Sequence, residues 1–244
     1  MLAGEFLSRL IAFGILMLMP GLAFAASAGT VAHLSGTLSV QGADGAARIL
    51  SQKSAVNIGD ILTTQRDSYA QIDFTDGSSA TMRPNTQLKI EAYAFDKDQP
   101  QKDNLVMGLL KGGLRTVTGL VGKRGNQDAY RINTSAATIG VRGSSGDTLE
   151  CSQDCEGVTS TSHKVERGVY HATYTGLYIM QNDAGSVLIG EGQFAYAKDR
   201  KTPPVILPGD PGLSLHEMPF TLGIGGRPGS GGGGGGSGQE CIVR

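Results

Sequence analysis

Glycine separates almost every short apolar run in this 244-residue chain, 37 times in all. Glycine costs stability inside helices and supplies the positive backbone angles of tight turns, so a chain punctuated this way favours short strands over helices. The segments between the glycines agree. Leu38 and Val40 alternate with Thr37, Ser39 and Gln41, and Ala70, Ile72 and Phe74 alternate with Gln71 and Asp73. That period of two buries one face of a strand and wets the other. Asp44-Gly45 and Asp76-Gly77 follow these runs as hairpin turns.

Further along, the apolar run 105–110 has a composition compatible with a helix. It is short, bounded by Gly108 and Gly112-Gly113, and followed by Thr116-Val117-Thr118, so strands are predicted there too. In an unbroken strand through 132–140, Ile132, Thr134, Ala136, Thr138 and Gly140 would share one face, with Ile139 on the other. Short strands are also predicted at 168–176, 177–180, 185–190 and 192–197. From Lys201 onward, Pro203-Pro204, Pro208-Gly209 and Pro211-Gly212 interrupt regular structure, and 227–238 is nearly all Gly and Ser. Such composition predicts a flexible tail over 201–244.

At the N-terminus, Arg9, the apolar run 10–19, Pro20-Gly21 and Ala23-Phe24-Ala25 have the layout of a secretory signal peptide over residues 1–25. The run is short for a membrane span, so none is expected after cleavage, and the expected location is periplasmic or secreted. The net charge of −1 gives no global attraction for nucleic acid. Lys123-Arg124, a tight basic pair in a Gly-flanked stretch, reads as a solvated turn. The Gly119-Leu-Val-Gly-Lys123 sequence lacks the spacing and following hydroxyl of a phosphate loop.

Several residues invite chemical readings. Asp73 and Asp76 need not converge if one lies on a strand and the other in its turn, and Asp60 reads as a turn carboxylate bonding local amides. His33 reads as structural or surface-placed. Cys151 and Cys155 in an exported chain are expected to form a disulfide. A metal reading would recruit His163 and His171, whose spacing matches no standard zinc site. Cys241 is left over and could pair between chains. Ser144, Ser145 and the scattered histidines form no catalytic motif, so neither enzymatic activity nor a cofactor is expected. Arg142, between Gly140-Val141 and Gly143, carries two readings: a partly buried guanidinium tying strands together, or an anion clamp beside bare glycine backbone.

Four segments in this order, NIGDILTT at 57–64, AQIDFTDGS at 70–78, KGGLRTVTG at 111–119 and TSAATIGVRGS at 134–144, resemble the FecR-type periplasmic domain over roughly 29–150. The cysteine pair, Gly176-Leu-Tyr and GEGQFAY at 190–196 resemble the extension of stand-alone secreted members, which sets 26–200 as the domain with its β extension over 151–200. The resemblance implies an all-β domain with solenoid-like winding, a β-roll or β-sandwich being the alternative. It also implies action through protein contacts in envelope sensing, signalling or assembly. The sigma-factor relay of the founding regulators requires a cytoplasmic segment and a membrane helix, and is not carried over. The family's usual last motif residue is Thr, where Ser144 stands here. A second functional reading, a module for wall or capsule polysaccharide, rests on Tyr170, Tyr174 and Tyr178 as an aromatic platform.

Overall fold

The computed structural model describes residues 27–126, 128–151 and 165–211, apart from the Ser144 side chain. The fold is all-β, with one short 3-10 turn at Pro100–Lys102 among the described residues. The strands are β1 (Ser27–Ser35), β2 (Leu38–Gln41), β3 (Ala47–Leu50), β4 (Ala55–Asn57), β5 (Ile61–Thr64), β6 (Tyr69–Phe74), β7 (Ser79–Met82) and β8 (Gln87–Ala94). After the 3-10 turn come β9 (Asn104–Val117), β10 (Tyr130–Asn133), β11 (Thr138–Glu150), β12 (Val169–Asn182), β13 (Gly185–Ile189), β14 (Phe194–Ala197) and β15 (Val205–Leu207).

Period-two patterning forms the first hairpins as predicted. Leu38 and Val40 are buried while Ser39 and Gln41 are not, and Gly45 turns β2 into β3 with φ of 80°. Gly77, at φ 83°, turns β6 into β7. Gln71 departs from the pattern: it is buried, and its amide donates to Asp73 at 2.7 Å.

The larger design rests on three long strands, each bent at a glycine with positive φ. β9 bends at Gly112 (φ 89°), β11 at Gly143 (φ 65°) and β12 at Gly176 (φ 76°). In β9, core positions Leu105, Met107 and Leu109 fall on odd residues and Leu114 and Thr116 on even ones, so Gly112-Gly113 slips the alternation by one. The first half of β9 lies between antiparallel β8 and parallel β10, and its second half between β7 and β11. A Cβ at Gly112 would sit 2.7 Å from Thr86 Cα and 2.9 Å from the Asn85 carbonyl, so the bend admits only glycine without rearrangement.

Three expectations are corrected. The strand through 132–140 is broken: Asn133 pairs with Thr138 across a hairpin. The Thr134 hydroxyl closes that turn, donating to the Ala137 carbonyl at 2.6 Å and accepting its amide at 3.1 Å. The two strands predicted at 168–176 and 177–180 are the single strand β12. The sheet also continues past residue 200, because β15 pairs with β14 and Leu207 packs on a small cluster of Leu149, Cys151 and Tyr170. The ladders do not supply the successive parallel pairings of solenoid-like winding, β9–β10 being the one parallel pair among the described strands.

The main core fills the space between the strands with Leu38, Leu62, Ile72, Met82, Leu88, Ile90, Met107, Leu114, Ile132, Ile139 and Tyr178, all fully enclosed. Burying one such Leu or Ile contributes about 2 kcal/mol, which explains why the alternation fixes strand register so firmly.

Candidate functional site

The loop after β9 is shaped by a carboxylate in a distant turn. Asp76, 4% exposed, accepts the Ser78 hydroxyl at 2.6 Å and the Val121 amide at 3.0 Å. Its carbonyl accepts the Leu120 amide at 2.9 Å, and Ser78 Oγ accepts the Gly119 amide at 2.8 Å. Asp76 thus pins residues 119–121 against the β6–β7 turn and fixes where the next four residues begin. Asp73 points elsewhere, to Gln71, so the two acids do not converge.

Residues 122–125 form one wall of a cleft of about 360 Å³, and Arg142 and Gly143 of β11 form the other. A bulge in the β11–β12 ladder follows Arg142, between its pairing with Leu177 and that of Ser145 with Thr175. Bulges re-aim side chains, and this one lies where Arg142 leaves the core-facing positions Ile139 and Val141. The Arg142 side chain is 33% exposed, and its Nη2 lies 3.7 Å from Asp128 Oδ1, too far for a hydrogen bond. Its Nε is buried without a hydrogen-bond partner among the described residues. Lys123 lays its stem along Gly143, with Cγ 3.4 Å from where a Gly143 Cβ would stand.

Arg124 contrasts with Arg142. It donates from Nε to Asp103 at 2.9 Å, from Nη1 and Nη2 to the Lys97 and Asp96 carbonyls at 2.8 and 2.7 Å, and lies over the Phe95 ring. Its charge is matched by buried Asp103. The reading of Lys123-Arg124 as a solvated turn holds for Lys123, which is exposed in a turn, and is corrected for Arg124, a structural tie; both residues line the cleft with Arg142. Eighteen residues separate Arg124 from Arg142 in the chain, and no spacing rule joins them.

Other predicted residues lie elsewhere. Gly140 does not line the cleft; a Cβ there would meet Ile179 Cγ2 at 2.7 Å, so its smallness serves sheet packing. His33 is exposed on β1, and Asp60 accepts the Asn57 amide at 2.9 Å, a local turn bond. His171 is fully buried, its Nδ1 paired with the Thr148 hydroxyl at 3.0 Å, and burial lowers its pKa to about 3. It faces the Tyr178 ring at 4.1 Å. Ser145 pairs with the Thr175 hydroxyl at 2.8 Å. Cys151 is buried at the end of β11, while Cys155, His163 and Cys241 lie outside the described residues. No three His, Cys, Asp or Glu side chains converge as a metal set among the described residues.

The three tyrosines form no platform. Tyr178 is fully buried, Tyr170 is 4% exposed, and Tyr174 donates its hydroxyl to Asp147 at 2.9 Å while its face lies under Arg115. Burial and the Asp147 charge raise the Tyr174 pKa well above the usual phenol range. Asp147 itself is fully enclosed and binds Arg83 at 2.5 Å and Arg115 at 2.9 Å. This charged group went unseen in the sequence, where Asp147 follows a Gly- and Ser-rich run that reads as turn material.

The FecR protein family matches residues 60–168, which begins later and ends later than the motif resemblance at 29–150 and includes every cleft residue. Two crystal structures of a "putative anti-sigma factor" from Parabacteroides distasonis share 10% identity with the chain, covering 62% of it and 60% of theirs, at TM-scores of 0.43 and 0.42. The chain therefore spans about 60% of the length of that protein, and likeness at this level carries no argument about function. No curated protein matches. No helix among the described residues is long and apolar enough to cross a membrane. The matched segment, running from the start of β5 through β11 and past it to residue 168, is similar to the FecR protein family.

Proposed function

We propose that this protein is an exported, non-enzymatic regulatory component of the cell envelope that acts through protein contacts. The observation that carries this reading is the FecR family match over 60–168, a regulatory rather than catalytic family. Residues 1–25 serve as its signal peptide, and Cys151 and Cys155 close a short disulfide loop in the oxidising compartment it reaches. Two features of the surface favour a protein partner over a glycan. Of the tyrosines that would form a sugar platform, Tyr170 and Tyr178 are internal and Tyr174 has Arg115 over its ring, and Leu120, 43% exposed, stands two residues ahead of the cleft's first glycine. An apolar contact beside a basic one is how protein interfaces combine anchoring with orientation.

The test is site-specific photo-crosslinking in the native cell, with the photoreactive residue at Leu120 and, as a control, at exposed Ile49 on the distant β2–β3 hairpin. A discrete protein adduct from Leu120 that is absent from the control supports the proposal. Adducts to glycan alone, or none from Leu120 in the exported full chain, would reject it.

A further inference from the structure

We infer that the cleft between residues 122–125 and Arg142–Gly143 is a carboxylate-binding site, and that its ligand is an acidic side chain or chain end of a partner polypeptide. This rests on the protein-contact reading above and names the chemistry of the contact.

The charges decide it. Lys123, Arg124 and Arg142 line the cleft, and no acid does among the described residues. Asp103 neutralises Arg124 from behind, and Asp128 approaches Arg142 only at the rim. Three cations against two carboxylates leave an excess of one positive charge, which a monoanion satisfies. Asp128 also shows what group the guanidinium accepts. Its carboxylate stands 3.7 Å from Arg142 Nη2, 68% exposed, beyond hydrogen-bonding distance. It behaves as a loose internal occupant that a better-placed carboxylate replaces. The Arg142 guanidinium, its side chain 33% exposed, presents a planar fork that can bind both oxygens of a carboxylate at once.

Geometry contributes as well. Gly122, Gly125 and Gly143 all have positive φ, at 85°, 67° and 65°, and they keep both walls free of side-chain bulk. A ligand oxygen can approach the main chain there, with the Lys123 stem alongside Gly143.

The experiment is an NMR titration of the intact exported protein, following the amides of Gly122, Gly125 and Gly143. The probes are N-acetyl-glutamate amide, its glutamine counterpart, glucuronate and inorganic phosphate. The glutamate probe is expected to shift the three glycine amides and the glutamine probe to leave them still. Affinity should fall several-fold between about 50 and about 200 mM salt, as screening of a half-exposed pair requires. Arg142→Gln should weaken binding by about ten-fold or more, the usual loss for a charge-assisted contact. Lys123→Gln, a surface change that leaves the fold alone, should weaken it less. Asp128→Asn should tighten it, because the internal competitor is gone. Unmoved glycine amides, equal response to the glutamine probe, or an unchanged affinity in both Arg142→Gln and Lys123→Gln would overturn the site. Preference for phosphate would overturn the carboxylate assignment, and response to glucuronate alone would overturn the polypeptide source. A carboxylate bound here while Leu120 crosslinks to no protein would reject the protein-contact function and the polypeptide ligand but retain the anion site. A protein adduct with silent glycine amides would do the reverse.

Discussion

Acidification should destabilise this protein before its carboxylates titrate, and His171 is the reason. The imidazole lies fully enclosed between β11 and β12, with Nδ1 held by Thr148, its face against Tyr178, and Nε2 without a partner among the described residues. Gly146 closes the cage: a Cβ there would sit 3.1 Å from the ring. Nothing in this setting solvates a second proton, and burial lowers the pKa from 6.5 to about 3. With the folded value depressed, the unfolded chain binds the proton first. His171 therefore leaves stability intact above the unfolded value and erodes it as pH falls from there towards the folded one.

Those two values translate to a loss of about 2 kcal/mol between about pH 7 and about pH 5. Asp and Glu in an unfolded chain titrate near 4, so this window excludes most carboxylate titration, and the comparison with a His171 variant separates this histidine from the other three. Urea denaturation at both pH values is the assay, run on the native chain and on His171→Gln, which keeps a hydrogen-bonding side chain but cannot titrate. The variant should be less stable at neutral pH and nearly flat across the window. A native chain that loses less than about 0.3 kcal/mol, or a variant that keeps the native slope, would refute the assignment of a caged neutral imidazole.

Asp147→Asn should destabilise by about 3–5 kcal/mol in the same denaturation assay, because buried Arg83 and partly buried Arg115 lose the charge they share. Gly112→Ala should cost at least about 2 kcal/mol, since φ of 89° and backbone atoms of Thr86 and Asn85 both oppose a Cβ. Reduction of the proposed Cys151–Cys155 bridge should lower stability by about 2 kcal/mol, with thiol labelling of the unreduced, denatured protein finding neither cysteine. Gly140→Ala should disturb packing against Ile179 and lower the melting temperature without altering carboxylate binding, whereas Gly143→Ala should weaken binding through the displaced Lys123 stem.

The sequence exposes those parts of the fold whose chemistry is local. Asp76-Gly77 and Asp44-Gly45 announce their turns because glycine alone reaches positive φ without strain, and Leu38 with Val40 announces its buried face. The turn at 134–137 has no such marker. A threonine hydroxyl does there what a backbone bond usually does, within a sequence that continues strand alternation. Gly176 misleads in the opposite direction, reading as a terminator when it is a bend inside β12. The cleft was half legible: Arg142 and Gly143 stand out by their motif, but the partners Lys123 and Arg124 arrive through Asp76 and Asp103, two contacts made by distant turns. Composition also hides β15, where three apolar residues between prolines suffice to add a strand to an open edge.

Arg142 and Asp147 share β11, five residues apart, and the bend between them explains why one ion pair can exchange and the other cannot. Beyond Gly143, β11 runs between β9 and β12, and every residue from 146 to 150 is buried. A charge there must be paired within the fold, and removing its partner strands an ion in a medium that cannot solvate it. Asp147 accordingly holds two arginines and a tyrosine, an arrangement too costly to open for a ligand. Before Gly143 the strand has not yet gained β9 as a neighbour, and the bulge turns Arg142 towards water. Its contact with Asp128 is screened and half-solvated, worth at most about 1 kcal/mol, so a carboxylate of better geometry displaces it at little cost. The glycine that lets one strand serve two ladders thus also divides its charges into a group that stabilises the fold and a group available for exchange.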